Sequence, residues 1–189
     1  MTATDPATAV AVSDATADDI ALLARAVRPY ASKGTVYLER AHAVRRGESV
    51  AGVGEFSIDR SCYIENTGHF NAVEFTISYN QLVYYTLAVA IRDRLIPELA
   101  DWSMDDYWTR QLPSVLISRF SSRHRRPIDS RSYTAELTIG EVTFRNRSRP
   151  LYALQTGVEF ADAAGGSAVG DIEIVLLDPP GHPAAGAAR

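Results

Sequence analysis

Apolar positions along this chain follow two periods, and the switches between them lay out its elements. Ile20, Leu23, Ala24 and Val27 recur at helical spacing, which predicts a first helix opened by Thr16 or Asp18 and ended at Arg28 by the proline that follows. Tyr30 and Lys33 then fall in the exit loop. Two alternating runs come next: Thr35 to Val44, with Val36 and Leu38 on one face, and Ser49 to Ile58, with Val50, Phe56 and Ile58 on one face. Gly47 between them predicts a hairpin. From Ala72 to Leu95 nearly every residue is apolar or aromatic, a long helix closed by Pro97, and Ser103 and Asp106 are spaced as the cap of a short one. After Pro113 alternation returns in four runs, Val115 to His124, Tyr133 to Phe144, Leu151 to Phe160 and Ala168 to Leu177, separated by turn residues.

This order lacks the regular strand-helix-strand alternation of a parallel sheet, so it predicts an α+β fold with an antiparallel sheet wrapped on one helix. A helix apolar on most sides needs cover all round, which a strongly curved sheet and a second subunit supply. That is the layout of a single hotdog domain. With 189 residues, 46% of them hydrophobic, the chain suffices for one such domain over 16–178, leaving Ala-, Thr- and Asp-rich residues 1–15 and Pro- and Gly-rich residues 179–189 as flexible tails.

Composition narrows the function classes. A formal net charge of −4 argues against nucleic acid or an anionic membrane as the main partner. The long apolar run is interrupted by polar groups and by Arg92, Asp93 and Arg94, so it is not expected to span a membrane. With no signal-type start, the expected location is cytoplasmic. A single cysteine, Cys62, allows no internal disulfide and is expected to be a small core residue. The four histidines, His42, His69, His124 and His182, form no pair with ligand spacing, so no metal site is expected. There is no Gly-x-Ser-x-Gly elbow either.

The chemistry concentrates where the long helix begins, in Gly68-His69-Phe70-Asn71-Ala72-Val73-Glu74. Asn71 and Glu74 have the spacing of a capping box, and a helix start offers amide N–H groups and the positive end of the peptide dipoles to a carbonyl or an oxyanion. An ordinary cap beside a satisfied histidine is the plainer reading. Tyr63, His69 and Asn71 cluster there, with Asn80 and Tyr84 one to three turns further in. Tyr79, Gln81 and Tyr85 add polar groups that a purely structural core helix rarely keeps. Asn80 lies nine residues beyond Asn71, so the two need not share a face. In an extended strand Arg119, Ser121, Arg123 and Arg125 share one face, suited to the phosphates of coenzyme A or a phosphopantetheine arm; a solvated edge strand guarded by charge has the same composition.

Tyr63-Ile64, Thr67 to Glu74, Tyr79-Asn80-Gln81-Leu82, Trp102 to Tyr107 and Ser121 to Pro127 together closely resemble the FcoT-like family of actinobacterial single-hotdog proteins. The resemblance runs from about Ile20 to Asp178. It implies a thioesterase-like enzyme, and its members in isonitrile lipopeptide clusters imply addition of glycine to a 2-enoyl chain on an acyl carrier protein, then thioester hydrolysis to a 3-(carboxymethylamino) fatty acid. That family uses tyrosines and asparagines in place of the usual acidic residue, which match Tyr30, Tyr63, Asn71 and Asn80 here. No bound cofactor is expected, the substrate being carried on the carrier protein's phosphopantetheine, and the second subunit that covers the helix makes the expected assembly a dimer or dimer-based. For such chemistry His69 is the candidate for proton traffic or for orienting its loop, and Lys33 or an arginine of the basic strand for binding the glycine carboxylate.

Overall fold

The computed structural model describes residues 16–65, 67–146 and 148–182. Three α-helices, α1 (Ala17–Ala31), α2 (Ala72–Arg92) and α3 (Met104–Arg110), accompany six strands, β1 (Leu38–Arg46), β2 (Ser49–Phe56), β3 (Val115–Arg126), β4 (Tyr133–Asn146), β5 (Pro150–Ala161) and β6 (Ser167–Leu177). All neighbours pair antiparallel in the order β1-β2-β4-β5-β6-β3, which leaves β1 and β3 as the edges. The sheet wraps α2, and this is the hotdog arrangement anticipated above. Residues 1–15 and 183–189 lie outside the described part, so the expected tails are described only over Pro179 to His182, where the His182 ring packs on Phe144 at 4.5 Å.

Thr16 opens α1 in a capping box with Asp19. Helix α1 does not stop at Arg28 as expected but carries Pro29 inside its last turn. A proline there removes a single N–H from the ladder, a tolerable loss at a helix end. The chain leaves the helix instead through Gly34, whose φ of +63° suits only glycine well. The first strand also begins later than expected, because Gln81 of α2 takes the backbone that would have opened it. Its amide donates to the Thr35 carbonyl at 2.7 Å and its carbonyl oxygen accepts from the N–H groups of Tyr37 and Leu38, both at 2.9 Å. Val36 is consequently exposed while Leu38 is buried. The β1-β2 hairpin turns through Gly47 and Glu48 between the paired Arg46 and Ser49.

Every residue from Gln81 to Ile91 is buried, which explains the absence of a polar stripe. Two glycines let the sheet approach so closely. A β-carbon at Gly52 would lie 2.1 Å from Thr86 Oγ1, and one at Gly170 would lie 2.8 Å from Phe75 Cζ. The Tyr79 hydroxyl meets Thr156 Oγ1 of β5 at 2.7 Å, so Tyr79, like Gln81, serves the helix-sheet contact. On the other side α3 locks the pair of helices: the Tyr107 hydroxyl donates to the Tyr84 carbonyl at 2.6 Å, and the Gln111 amide to the Ala26 carbonyl at 2.7 Å. No helix among the described residues is long and apolar enough to cross a membrane.

Candidate functional site

Phe70 fixes the approach to α2. Its ring is buried among Tyr133 at 4.8 Å and Phe160 at 5.0 Å, and its N–H donates to the Ile128 carbonyl at 3.0 Å. Asn71 follows as the N-cap: its Oδ1 accepts from the N–H groups of Val73 at 3.0 Å and Glu74 at 3.3 Å, while Glu74 Oε2 accepts from the Asn71 N–H at 3.1 Å. The cap thus consumes two first-turn amides that the sequence reading had offered to a substrate. It also fixes the amide's orientation. Asn71 Nδ2 is left buried with no hydrogen-bond partner, and the cap provides no acceptor for the Ala72 N–H. An unpaired buried donor is costly, about 1–3 kcal/mol, unless something fills it.

Asn71 and Ala72 belong to the near wall, His69 to Ala72, of a cleft of about 320 Å³ whose far wall is the end of β3, His124 to Pro127. His69 Nδ1 lies 3.2 Å from the Thr67 carbonyl, which only accepts, so Nδ1 carries the proton and Nε2 of the neutral ring is an acceptor. The His124 ring lies against Phe75 at 5.7 Å and Phe70 at 6.1 Å. Burial, and after it the charge of His69 across the cleft, hold the His124 imidazole below its ordinary value. A larger cleft of about 550 Å³ opens near the other end of α2, beside Leu95 and Ile96, but its ionisable groups are only Arg45, Glu48, Glu98 and Glu141. Volume alone does not make it the site. Among the described residues no three His, Cys, Asp or Glu side chains come together as a metal site requires.

The expected site residues therefore divide. His69, Asn71 and Arg125 border the cleft. Tyr63 does not line it; the side chain stands on the exposed stretch before Gly68, 53% accessible. Tyr30, Asn80 and Tyr84 form a second group between α1 and α2, in which the Asn80 side chain stands beside the Tyr30 phenol and burial raises both phenols above their ordinary range. Nine residues of helix separate Asn80 from Asn71, about 13 Å of rise, so one protomer does not bring the groups together. Lys33 is exposed in the turn after α1, near Tyr30 in sequence and absent from the cleft lining. Cys62 is exposed, not in the core.

The basic strand keeps Arg119, Ser121 and Arg123 on one face, as expected, and loses only Arg125 from it. Phe120 and His124 face α2 through their contacts with Phe75, which by alternation turns Arg119, Ser121 and Arg123 to the convex side of the sheet, where Arg119 bonds Gln155 at 2.9 Å. A register shift between His124 and Arg126 breaks the alternation at Arg125, which borders both the cleft and the convex face. Sequence reasoning followed the arginines and missed His124. The signal was the alternate series Phe120, Ser122, His124, whose aromatic member marks the inner face.

A family model described as FcoT-like thioesterase domain matches residues 25–176. A (2E)-enoyl-[ACP] glycyltransferase of Mycobacterium marinum is 40% identical over 159 residues, 84% of this chain and 86% of that protein. One of the same name from Streptomyces coeruleorubidus is 35% identical over 164 residues, 86% of this chain and 99% of its own. Among solved structures, a protein of Shewanella oneidensis assigned to the thioesterases aligns over 83% of this chain and 98% of its own at 11% identity with a TM-score of 0.46, too remote to bear on the site. Family match and long-range identity agree: this chain belongs to the FcoT-like thioesterase family.

Proposed function

We propose that this protein is a (2E)-enoyl-[acyl-carrier-protein] glycyltransferase that adds glycine to the β-carbon of an α,β-unsaturated acyl thioester and then hydrolyses the thioester to a 3-[(carboxymethyl)amino] fatty acid. Its place is isonitrile lipopeptide biosynthesis in the cytoplasm. The supporting observation is the buried, partnerless Asn71 Nδ2 beside the Ala72 N–H at the edge of a cleft that also holds imidazole and guanidinium groups. Such donors suit a thioester carbonyl whose oxygen gains charge, first as the amine adds at the β-carbon and electrons move to the oxygen, then as water adds at the carbonyl. Neither step needs a cofactor of the protein's own. His69 Nε2 is available to accept a proton from the attacking water of the hydrolysis step, and Arg125, bordering the cleft, suits the glycine carboxylate better than Lys33.

The phosphopantetheine arm and its carrier protein fit the basic end of β3, with Ser121 and Arg123 on its convex side. Leu116, Ile117 and Phe120, 42%, 37% and 37% accessible, lie along this unpaired edge, and exposed edges are normally covered, so a second copy is expected there. Tyr30, Tyr63, Asn80 and Tyr84, which lie outside the cleft of their own protomer, are then expected to serve the substrate from the partner copy. Sedimentation as a monomer at micromolar concentration contradicts that assembly. The function itself is tested by incubating the protein with an enoyl carrier thioester with and without glycine. A glycine-dependent carboxymethylamino acid supports it; release of only the unmodified enoic acid makes the protein a plain acyl-CoA or acyl-carrier thioesterase, and binding without turnover makes it an acyl-binding module.

A further inference from the structure

We propose that His124 is the proton carrier of the addition step: it takes a proton from the glycine ammonium and returns it to the substrate α-carbon. This rests on the glycine-adding function proposed above. The two imidazoles face each other across the cleft, but they are held differently. His69 sits on an exposed loop with Nδ1 committed to the Thr67 carbonyl. His124 is exposed as well, but its ring lies against Phe70 at 6.1 Å and Phe75 at 5.7 Å, on a strand paired to Ala168 of β6. Both elements that pack on it supply rings or an amide, from Phe70, Asn71 and Phe75. The titratable or charged groups facing it are His69 from the loop and its own neighbours Arg125 and Arg126. Among the described residues that line the cleft there is no carboxylate, and Glu74 is turned to the Asn71 N–H.

A base in that position must be neutral to act, and the surroundings keep it so. Loss of water around the ring, then the positive charge that His69 can carry, oppose protonation of His124, which extends its basic form to lower pH than a free imidazole. Neither Arg125 nor Arg126 is ion-paired among the described residues, so a carboxylate entering the cleft meets unneutralised cations. The step balances without a further reagent. The ammonium gives one proton to His124, the nitrogen lone pair forms the bond to the β-carbon, and the π-electrons move to the thioester oxygen. As the carbonyl re-forms, the α-carbon takes the proton from His124. One N–H has been added across the double bond, and the imidazole is neutral again.

The test uses the full-length protein, an enoyl carrier thioester and glycine, with adduct formation followed by mass. Wild type should show an acid limb with a midpoint below 6.5, since the glycine amine stays protonated throughout that range. His124→Gln should lower the rate constant for adduct formation about a hundredfold or more, with little change in the KM for glycine, abolish that limb and respond to added imidazole. His69→Gln should retain the limb but move its midpoint upward, because the His69 charge is one of the two causes that oppose protonation of His124. Absence of the limb in wild type, or a folded His124→Gln protein that makes adduct at the wild-type rate, overturns the assignment while leaving the proposed function standing. A wild-type protein that makes no adduct at all overturns the function and this inference with it.

Discussion

Asn71 performs two tasks with two ends of one amide, and substitution can separate them. Its Oδ1 caps α2, whereas its Nδ2 is buried without a partner. Serine is as good an N-cap as asparagine, but its short hydroxyl cannot reach where Nδ2 stands; alanine supplies neither group. The difference in stability between Asn71→Ser and Asn71→Ala therefore isolates the cap, about 1 kcal/mol, or about 2–4 °C in melting temperature for a chain of this size. Against wild type, both variants shed an unpaired buried donor worth about 1–3 kcal/mol, so Asn71→Ser should melt no lower than wild type. Activity should move the opposite way. Loss of one oxyanion donor costs about 10²- to 10³-fold in rate, and both variants should show it alike. Thermal melts beside carrier-thioester turnover read both quantities. A serine variant that keeps its rate within a few-fold, or that melts as low as the alanine variant, refutes the division of labour.

Three further outcomes follow from the packing and the surface charges. Gln81→Leu strands three backbone groups of Thr35, Tyr37 and Leu38, and urea unfolding should register a loss of about 3 kcal/mol or more; a loss well below 1 kcal/mol contradicts the structural role of that side chain. Gly170→Ala places a β-carbon 2.8 Å from Phe75 Cζ and 2.9 Å from Ile172 Cδ1, so it should cost about 1–3 kcal/mol, read as a lowered melting temperature; an unchanged melt means that the helix stands farther from the sheet. Hydrogen bonds from Ser118, Arg145 and Gln155 pull the Glu173 carboxyl down to about 2 from 4.5. Because the folded value is the lower one, its stabilisation is complete above 4.5 and lost as pH falls towards about 2. The gap in urea midpoint between wild type and Glu173→Gln should close over that window, and a gap independent of pH sinks the assignment.

Local patterns alone determined most of the architecture. The alternation after Pro113, the hairpin at Gly47 and the caps at Asn71 and Ser103 all stand where the chain's periodicity puts them, because each depends on neighbours within a few residues. Errors arose where a distant group intervened. Gln81 holds the backbone at Thr35 to Leu38, which delays β1, and the contacts of Tyr79 and Gln81 turn suspected binding groups into helix-to-sheet ties. That Arg125 leaves the face of Arg119, Ser121 and Arg123 was beyond the sequence, since one bulge there breaks the alternation and no composition rule announces it. The sequence likewise named Asn71 and His69, but only folding opposed them to His124 across a cleft, and only the closed cap reveals that the amide nitrogen, and not the first-turn N–H groups of Val73 and Glu74, remains to meet a substrate. Chemistry at that cleft depends on groups some fifty residues apart in the chain, a separation that short-range periodicity does not encode.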